Sequence, residues 1–127
     1  MVAPALTAGT VGGALASQSL AAGATVTFNL NLSASWEGQL IVGCTFGSVS
    51  TTSGLRIDIF PGYGPTPTYA TTNPNYSYTI PSNASSARTS PKILLPTGRW
   101  QVLLTNTDAT NGLTAVSATM DTIDSVA

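Results

Sequence analysis

Thr25-Val-Thr-Phe-Asn-Leu-Asn-Leu32 is the stretch that decides the fold, because polar and apolar residues alternate through it without interruption. Successive residues of a β-strand face opposite sides of a sheet, so this alternation predicts a strand with one apolar and one polar face. The polar face carries threonine and asparagine and no charged residue. Hydroxyls and amides can be covered at low cost if they find hydrogen bonds, whereas an unpaired charge cannot. The outer face of this strand therefore suits contact with a partner.

The rest of the chain is predicted to form further short strands rather than helices. No stretch of ten residues carries an apolar stripe with the 3.6-residue period of a helix. Pro61-Gly62 and Pro96-Thr97-Gly98 are interpreted as turns, the second as a tight hairpin between two strands. Short strands separated by turns predict an all-β fold, a β-sandwich of Ig-like or jelly-roll-like type. The additional strands are predicted at residues 14–20, 38–46, 54–60, 76–80, 92–95, 99–105 and 113–123.

The same alternation predicts the core. Cys44 is the single cysteine, and it shares its parity with the apolar residues around it, which favours a buried thiol over a reactive one. The other side chains predicted to be buried are large and apolar: Phe28, Leu30, Leu40, Val42, Ile57, Ile59, Val102, Leu104 and Val116.

The amino-terminal residues are predicted to be an arm outside the sandwich. Residues 1–13 are rich in alanine and glycine and offer little to bury, so the single sandwich domain is expected to span residues 14–127. An extended arm can add a strand to the exposed sheet edge of a neighbour. Val2, Pro4 and Leu6 are the arm residues expected to contact a partner. The alternative to such an arm is a disordered tail.

Charge and residue types argue against several classes of function. The chain has four basic and five acidic residues, a net charge of −1 and no histidine. Such a balance gives little electrostatic attraction to nucleic acid or to an anionic membrane, and neither is expected as a partner. Without histidine the commonest general base and metal ligand is missing, and the carboxylates match no calcium-loop spacing. We therefore predict no catalytic, cofactor-binding or metal-binding residues, and a protein that is not an enzyme.

The tyrosines provide the clearest candidate contact residues. All four of them fall between Tyr63 and Tyr78, in a proline-rich excursion. Tyrosine joins a large apolar ring to a hydrogen-bonding tip and is enriched at interfaces. Tyr63 and Tyr69 are the better interface candidates, while Tyr76 and Tyr78 fit equally well as cover for the sandwich edge. Exposed aromatic rings can also stack on sugars.

The carboxyl-terminal half resembles small virion proteins of tailed bacteriophages. The resemblance lies in Gly54-Leu-Arg-Ile-Asp-Ile-Phe60, in Ile93-Leu-Leu-Pro-Thr-Gly-Arg-Trp-Gln-Val-Leu-Leu-Thr-Asn-Thr-Asp108 and in Val116-Ser-Ala-Thr-Met-Asp-Thr-Ile-Asp-Ser-Val126. In those proteins a strand ending in Leu-Pro-x-Gly precedes a strand ending near Asn-x-Asp. They are similar to capsid decoration (cement) proteins, which are β-sandwich modules on the capsid lattice, often trimers. The resemblance carries over no catalytic residue.

The resemblance implies a virion structural protein on the capsid surface. Its expected partner is the major capsid protein or another virion protein, and a homo-oligomer such as a trimer is implied as well. Two other functions stay open. One is a tail or head-to-tail component, and the other is a carbohydrate-binding module for host attachment.

Overall fold

The computed structural model of the protein describes residues 6–8, 15–47, 54–63, 66, 68–69, 72–82 and 87–123. Its regular structure is β-strand, and every strand pairing is antiparallel. In chain order the strands are β1 (Leu6–Ala8), β2 (Leu15–Leu20), β3 (Thr25–Phe46), β4 (Gly54–Tyr63), β5 (Thr68–Tyr69), β6 (Tyr76–Pro81), β7 (Ala87–Thr89), β8 (Ile93–Asn106) and β9 (Leu113–Ile123).

Two long strands, β3 and β8, run through both halves of the sheet. Residues 25–32 of β3 pair with β8, which in turn pairs with β4 and through it with β6. Residues 37–46 of β3 pair with β9, and β1 and β2 extend the sheet beyond β9. The buried side chains of both halves form one hydrophobic cluster, so the sheet curls over on itself into a sandwich. The predicted all-β sandwich is confirmed.

The hairpin predicted at Pro96-Thr97-Gly98 is wrong. Strand β8 continues from Ile93 to Asn106, and both of its ends pair with the same strand β3. Between the pairs Leu32–Gly98 and Glu37–Pro96, residues 33–36 of β3 lie opposite Thr97 alone. This bulge bends both strands from one half of the sandwich into the other. Gly98 has a φ of 133°, which favours glycine at this bend.

The residues predicted to form the core are buried with a single exception. Leu30, Leu40 and the other predicted core residues are buried, and so is Cys44. Phe28 is only partly buried, although it packs against the core. Phe28, like the partly buried Val26, lies in the part of residues 25–32 farther from the bulge, where no described strand pairs with the second edge of β3.

Three local features differ from the sequence prediction. Strand β4 continues through Pro61-Gly62 to Tyr63, where β5 pairs with it, and β7 forms between the strands predicted at 76–80 and 92–95. Within the predicted arm, Leu6–Ala8 pairs with β9 of the same chain. Val2 and Pro4 lie outside the described residues. The division into an arm and a sandwich domain stays a prediction.

Candidate binding surfaces

The bulge in β3 turns one tryptophan outward. Trp36 shares its parity with the buried Leu32 and Leu40, so strict alternation would place it in the core. The bulge shifts that alternation: Ser35 is buried, and Trp36 is 63% exposed. A hydrogen bond from Thr97 Oγ1 to the Leu32 carbonyl, at 2.9 Å, connects the two strands at this bend.

Trp36 forms one wall of a surface pocket, which we call the Trp36 pocket. Its other lining residues are Glu37, Leu94, Leu95 and Pro96, and its volume is about 350 Å³. Leu94 is 59% exposed. A large exposed tryptophan beside an exposed leucine is unusual on a solvent-facing surface and points to a contact site. The pocket joins an aromatic ring to one carboxylate, a combination able to bind a group with both an apolar face and hydroxyls.

A second candidate surface is the outer face of the half that contains residues 25–32 of β3. Thr25, Thr27, Asn29 and Asn31 point away from the core there, and the Gln101 amide of β8 donates to Asn29 Oδ1 at 3.2 Å. These five residues are called the Thr-Asn face below. These five residues present hydroxyls and amides and no charge, as the sequence predicts, while Arg99 of β8 lies at the border of the face, opposite Asn31.

The charges on the β4 side of the Thr-Asn face, Arg56 and Asp58, neutralise each other. On β4, Arg56 Nε lies 3.0 Å from Asp58 Oδ2, and the Ser77 hydroxyl donates to Asp58 Oδ1 at 2.6 Å. Asp58 is buried although it faces outward. Its carboxylate is therefore occupied by Arg56 and Ser77, and this part of the surface carries little free charge.

The four tyrosines separate into two pairs. Tyr76 and Tyr78 of β6 pack against the core, so they cover the sandwich edge. Burial raises the pKa of Tyr76, and the neighbouring Tyr78 acts in the same direction. Tyr63 is 62% exposed, and its neighbour Gly62 pairs with the half-buried Tyr69. Tyr63 itself pairs with Thr68, so the side chains of Tyr63 and Tyr69 point to opposite faces of this ribbon. Their role at an interface stays a prediction.

The described part of the structure places none of the arm residues at these surfaces. Val2 and Pro4 lie outside the described residues, and Leu6 lies in β1 opposite Ile123. Their contact with a partner stays a prediction.

The surroundings of Cys44 affect its ionisation. Burial raises the pKa of the Cys44 thiol to about 11, and the opposing effect of Arg88 is smaller. Few such thiols are ionised near neutral pH, so Cys44 is poorly suited to act as a nucleophile. Among the described residues no group of three or more histidine, cysteine, aspartate or glutamate side chains could hold a metal ion. The same residues include no helix long and apolar enough to cross a membrane.

Sequence reasoning missed the Trp36 pocket. The available signal was a tryptophan inside Ser33-Ala-Ser-Trp-Glu37, where small polar residues interrupt the apolar alternation. Leu94 gave no such signal, because its exposure follows from the pairing of Gln39 with Leu94 in a strand register that local sequence does not reveal.

Neither the known protein-family models nor the curated proteins contain a match to this chain. Among solved structures, infectious bursal disease virus Gx strain matches 97% of this chain and 34% of its own, with 16% identity and a TM-score of 0.57. The infectious bursal disease virus VP2 subviral particle matches 95% of this chain and 33% of its own, with 14% identity and a TM-score of 0.54. The chain thus spans about a third of these viral chains.

Another structural match covers the whole length of the matched protein. The CBM35 domain of Abf62 from Cellvibrio japonicus matches over 97% of this chain and 100% of its own, with 14% identity and a TM-score of 0.50. At these identities the similarities show a shared fold. The fold is therefore one found both in a viral particle and in a CBM35 domain.

Proposed function

We propose that this chain is a structural protein of a virus particle, without enzymatic activity, that decorates and stabilises a tailed-bacteriophage capsid by binding the major capsid protein. The observation that carries the proposal is the Thr-Asn face. Its hydroxyls and amides can be covered by a partner without leaving a buried unpaired charge. On the β4 side the charges of Arg56 and Asp58 already neutralise each other at 3.0 Å, and Arg99 opposite Asn31 is the charge at the border of the face.

Two further observations support a virion role. Nearly the whole chain has the same fold as part of an infectious bursal disease virus structure, at 16% identity. The sequence resemblance in the carboxyl-terminal half directs the proposal to tailed phages and to the outer surface of the capsid. A tail or head-to-tail component would share the same features, so the copy number in the particle has to separate the two.

The test is the number of copies in purified particles of the virus that encodes the chain. Quantitative mass spectrometry of those particles gives the ratio of this protein to the major capsid protein. We expect a fixed ratio that corresponds to many copies over the shell. A handful of copies would favour the tail, and absence from the purified particle would overturn the virion proposal.

A charge on the Thr-Asn face tests the surface itself. Gln101→Lys places an ammonium group at the centre of the face, and covering an unpaired charge is costly. We expect binding to particles that lack the protein to weaken at least about tenfold, which corresponds to roughly 1.4 kcal/mol. The matched control is Thr119→Lys, an exposed β9 position on the outer side of the other half. Equal weakening by both variants would contradict the assignment of this face.

The Trp36 pocket favours a second candidate function, the binding of a carbohydrate. Tryptophan rings stack on the apolar faces of sugars, and Glu37 beside Trp36 could accept hydrogen bonds from sugar hydroxyls. The fold likeness to the CBM35 domain extends over all of that domain, which also supports this candidate.

A glycan array followed by titration calorimetry tests the second candidate. Binding of a glycan that is lost in Trp36→Ala and kept in Tyr63→Ala would support a sugar site at the pocket. The control is matched, since the two aromatic side chains are 63% and 62% exposed. Loss of glycan binding in Tyr63→Ala or Tyr69→Ala instead would place the site at that tyrosine. The absence of any glycan binding would contradict this candidate.

A further inference from the structure

The first part of β3 has an open edge. Residues 25–32 pair with β8 on one side, and β9 and β7 begin to pair with β3 only at Glu37 and Gly43. None of the described strands pairs with the other side of residues 25–32. We call this side the β3 edge. In an antiparallel ladder alternate residues turn their backbone N–H and C=O groups to opposite sides, so half of these groups face the β3 edge.

The hydrogen bonds at the end of the strand identify these groups. Asn106 N–H donates to the Ala24 carbonyl at 3.0 Å, and the register places Val26 opposite Leu104. Val26, Phe28 and Leu30 therefore bond to β8, while the residues between them turn outward. The next residue, Thr107, donates its N–H to the Gly54 carbonyl at 3.0 Å. Neighbouring residues at this end of β8 therefore bond to opposite sides, as an antiparallel ladder requires. The residues whose backbone groups face the β3 edge are thus Thr25, Thr27, Asn29 and Asn31.

The β3 edge lacks the devices that usually protect an edge strand. Residues 25–32 contain no charged residue and no proline. Two other described edge strands differ, because β6 ends in Pro81 and β7 is three residues long and carries Arg88. Such an unprotected edge is a template for pairing with another strand.

Apolar side chains are also left partly uncovered there. Val26 and Phe28 point toward the core but are only partly buried, whereas Leu30 and Leu32 on the same strand are fully buried. A strand added at the β3 edge would cover the exposed parts of Val26 and Phe28. Backbone pairing and apolar burial would then stabilise the same contact.

We propose that the β3 edge binds the β3 edge of a second copy of this chain, antiparallel and about a two-fold axis at Phe28. In this register Thr25 lies opposite Asn31 and Thr27 opposite Asn29, so every outward backbone group of residues 25–31 meets its partner. The side-chain pairs on the outer face are uncharged, and the two Phe28 rings meet on the inner face. The strand is therefore complementary to itself, as a two-fold interface requires. The inference goes beyond the proposed function and does not depend on it.

Sedimentation velocity of the full chain across a range of concentrations tests the contact. We expect a dimer that Thr27→Pro dissociates at least about tenfold more readily, because proline removes an outward N–H but none that bonds to β8. Asn29→Lys, which keeps the backbone N–H, should weaken the dimer as well. Thr119→Lys, on β9 in the other half, lies off the edge and should leave the dimer unchanged. A monomer at every concentration, a trimer, or a dimer indifferent to both edge variants would overturn the proposal.

Cross-linking tests the register. Phe28 of each copy would form a pair without backbone hydrogen bonds, whose Cα atoms lie roughly 4.5 Å apart and within disulfide range. Mild oxidation should therefore cross-link Phe28→Cys into a covalent dimer. Val26→Cys is the matched control, since residue 26 faces residue 30 of the second copy and should not cross-link. The wild-type chain, with its buried Cys44, should also stay uncross-linked. Cross-linking in Val26→Cys but not in Phe28→Cys would overturn the register.

Discussion

Ala115 adopts a backbone conformation that alanine rarely takes. Its φ is 51°, and it lies where the pairing of β3 with β9 shifts between Gly43–Ser117 and Thr45–Thr114. The left-handed region is costly for a residue with a Cβ and free of that cost for glycine. We expect Ala115→Gly to raise the free energy of unfolding by about 0.5–1 kcal/mol in urea titrations. Ala16→Gly, at an exposed strand position, should lower it by a similar amount, and a loss in Ala115→Gly would contradict the prediction.

Ile57 tests the assignment of the inner face. It is fully buried on β4 between Leu104 of β8 and Tyr78 of β6. We expect Ile57→Ala to lower the free energy of unfolding by about 2–5 kcal/mol, as measured by urea or thermal denaturation. Thr79→Ala, at an exposed position on β6, should change it by less than about 0.5 kcal/mol. A loss below about 1 kcal/mol in Ile57→Ala would mean that the inner face is misassigned.

Asp108 predicts a response to acid. Its carboxylate accepts the Asn111 side-chain amide at 3.0 Å and the Thr110 backbone N–H at 2.9 Å. The Asn111 side chain contributes most and the Thr110 backbone next, and together they hold the pKa of Asp108 well below its usual range. The ionised form then stabilises the folded state fully above the unfolded-state pKa of about 3.9, and that stability is lost as the pH falls below it.

Urea titrations at pH 7, 5 and 3 measure this response. We expect Asp108→Asn to be less stable than wild type at pH 7 and to lose less stability between pH 5 and pH 3. Identical pH profiles for the two proteins would contradict the role of the carboxylate.

At the scale of single elements, Gly54 fixes the start of β4. A Cβ at this position would overlap the backbone carbonyl oxygen of Ile80, to which β4 is paired. We expect Gly54→Ala to cost about 2 kcal/mol or more in thermal or urea denaturation, because backbone cannot move aside as a side chain can. Gly43→Ala is the control, since its Cβ would meet the Arg88 carbonyl at an ordinary 3.5 Å. Equal stability of the two variants would contradict the close approach of β4 and β6.

Alternation predicted most strands and most of the core, because each half-buried strand carries its own two-residue period. Residues 25–32 and the apolar positions of 54–60 are examples. Alternation could not predict the bend. Pro96-Thr97-Gly98 has the composition of a hairpin turn, and the pairing of both ends of β8 with β3 is a contact between residues distant in sequence.

The outward position of Trp36 follows from the same bend, so it could not be predicted either. The β3 residues of the Thr-Asn face could be predicted, since they need the parity of one strand alone, whereas Gln101 joins them through the pairing of β3 with β8. The Trp36 pocket combines β3 with β8 and depends on how the two strands pair. Surfaces within one strand were therefore accessible from the sequence, and surfaces shared by two strands were not.

At the scale of the whole molecule, the contact surfaces are uncharged or apolar apart from Glu37 in the Trp36 pocket, and they lie on different parts of the sandwich. The β3 edge borders the Thr-Asn face, while the Trp36 pocket lies at the bend between the two halves. Pairing through the edge would leave the outer face free, since edge contacts run in the plane of the sheet. A dimer formed at the β3 edge would thus present two Thr-Asn faces to one partner surface, which raises avidity without a new contact.

A cryo-EM reconstruction of the intact particle tests the central claim most directly. The account predicts density for this curled sandwich at repeated positions on the outside of the capsid shell, with the Thr-Asn face against the major capsid protein. A shell without such density, in particles shown by mass spectrometry to contain the chain, would contradict capsid decoration. A sandwich bound to the shell through the Trp36 pocket, with the Thr-Asn face in solvent, would contradict the assignment of the binding surface.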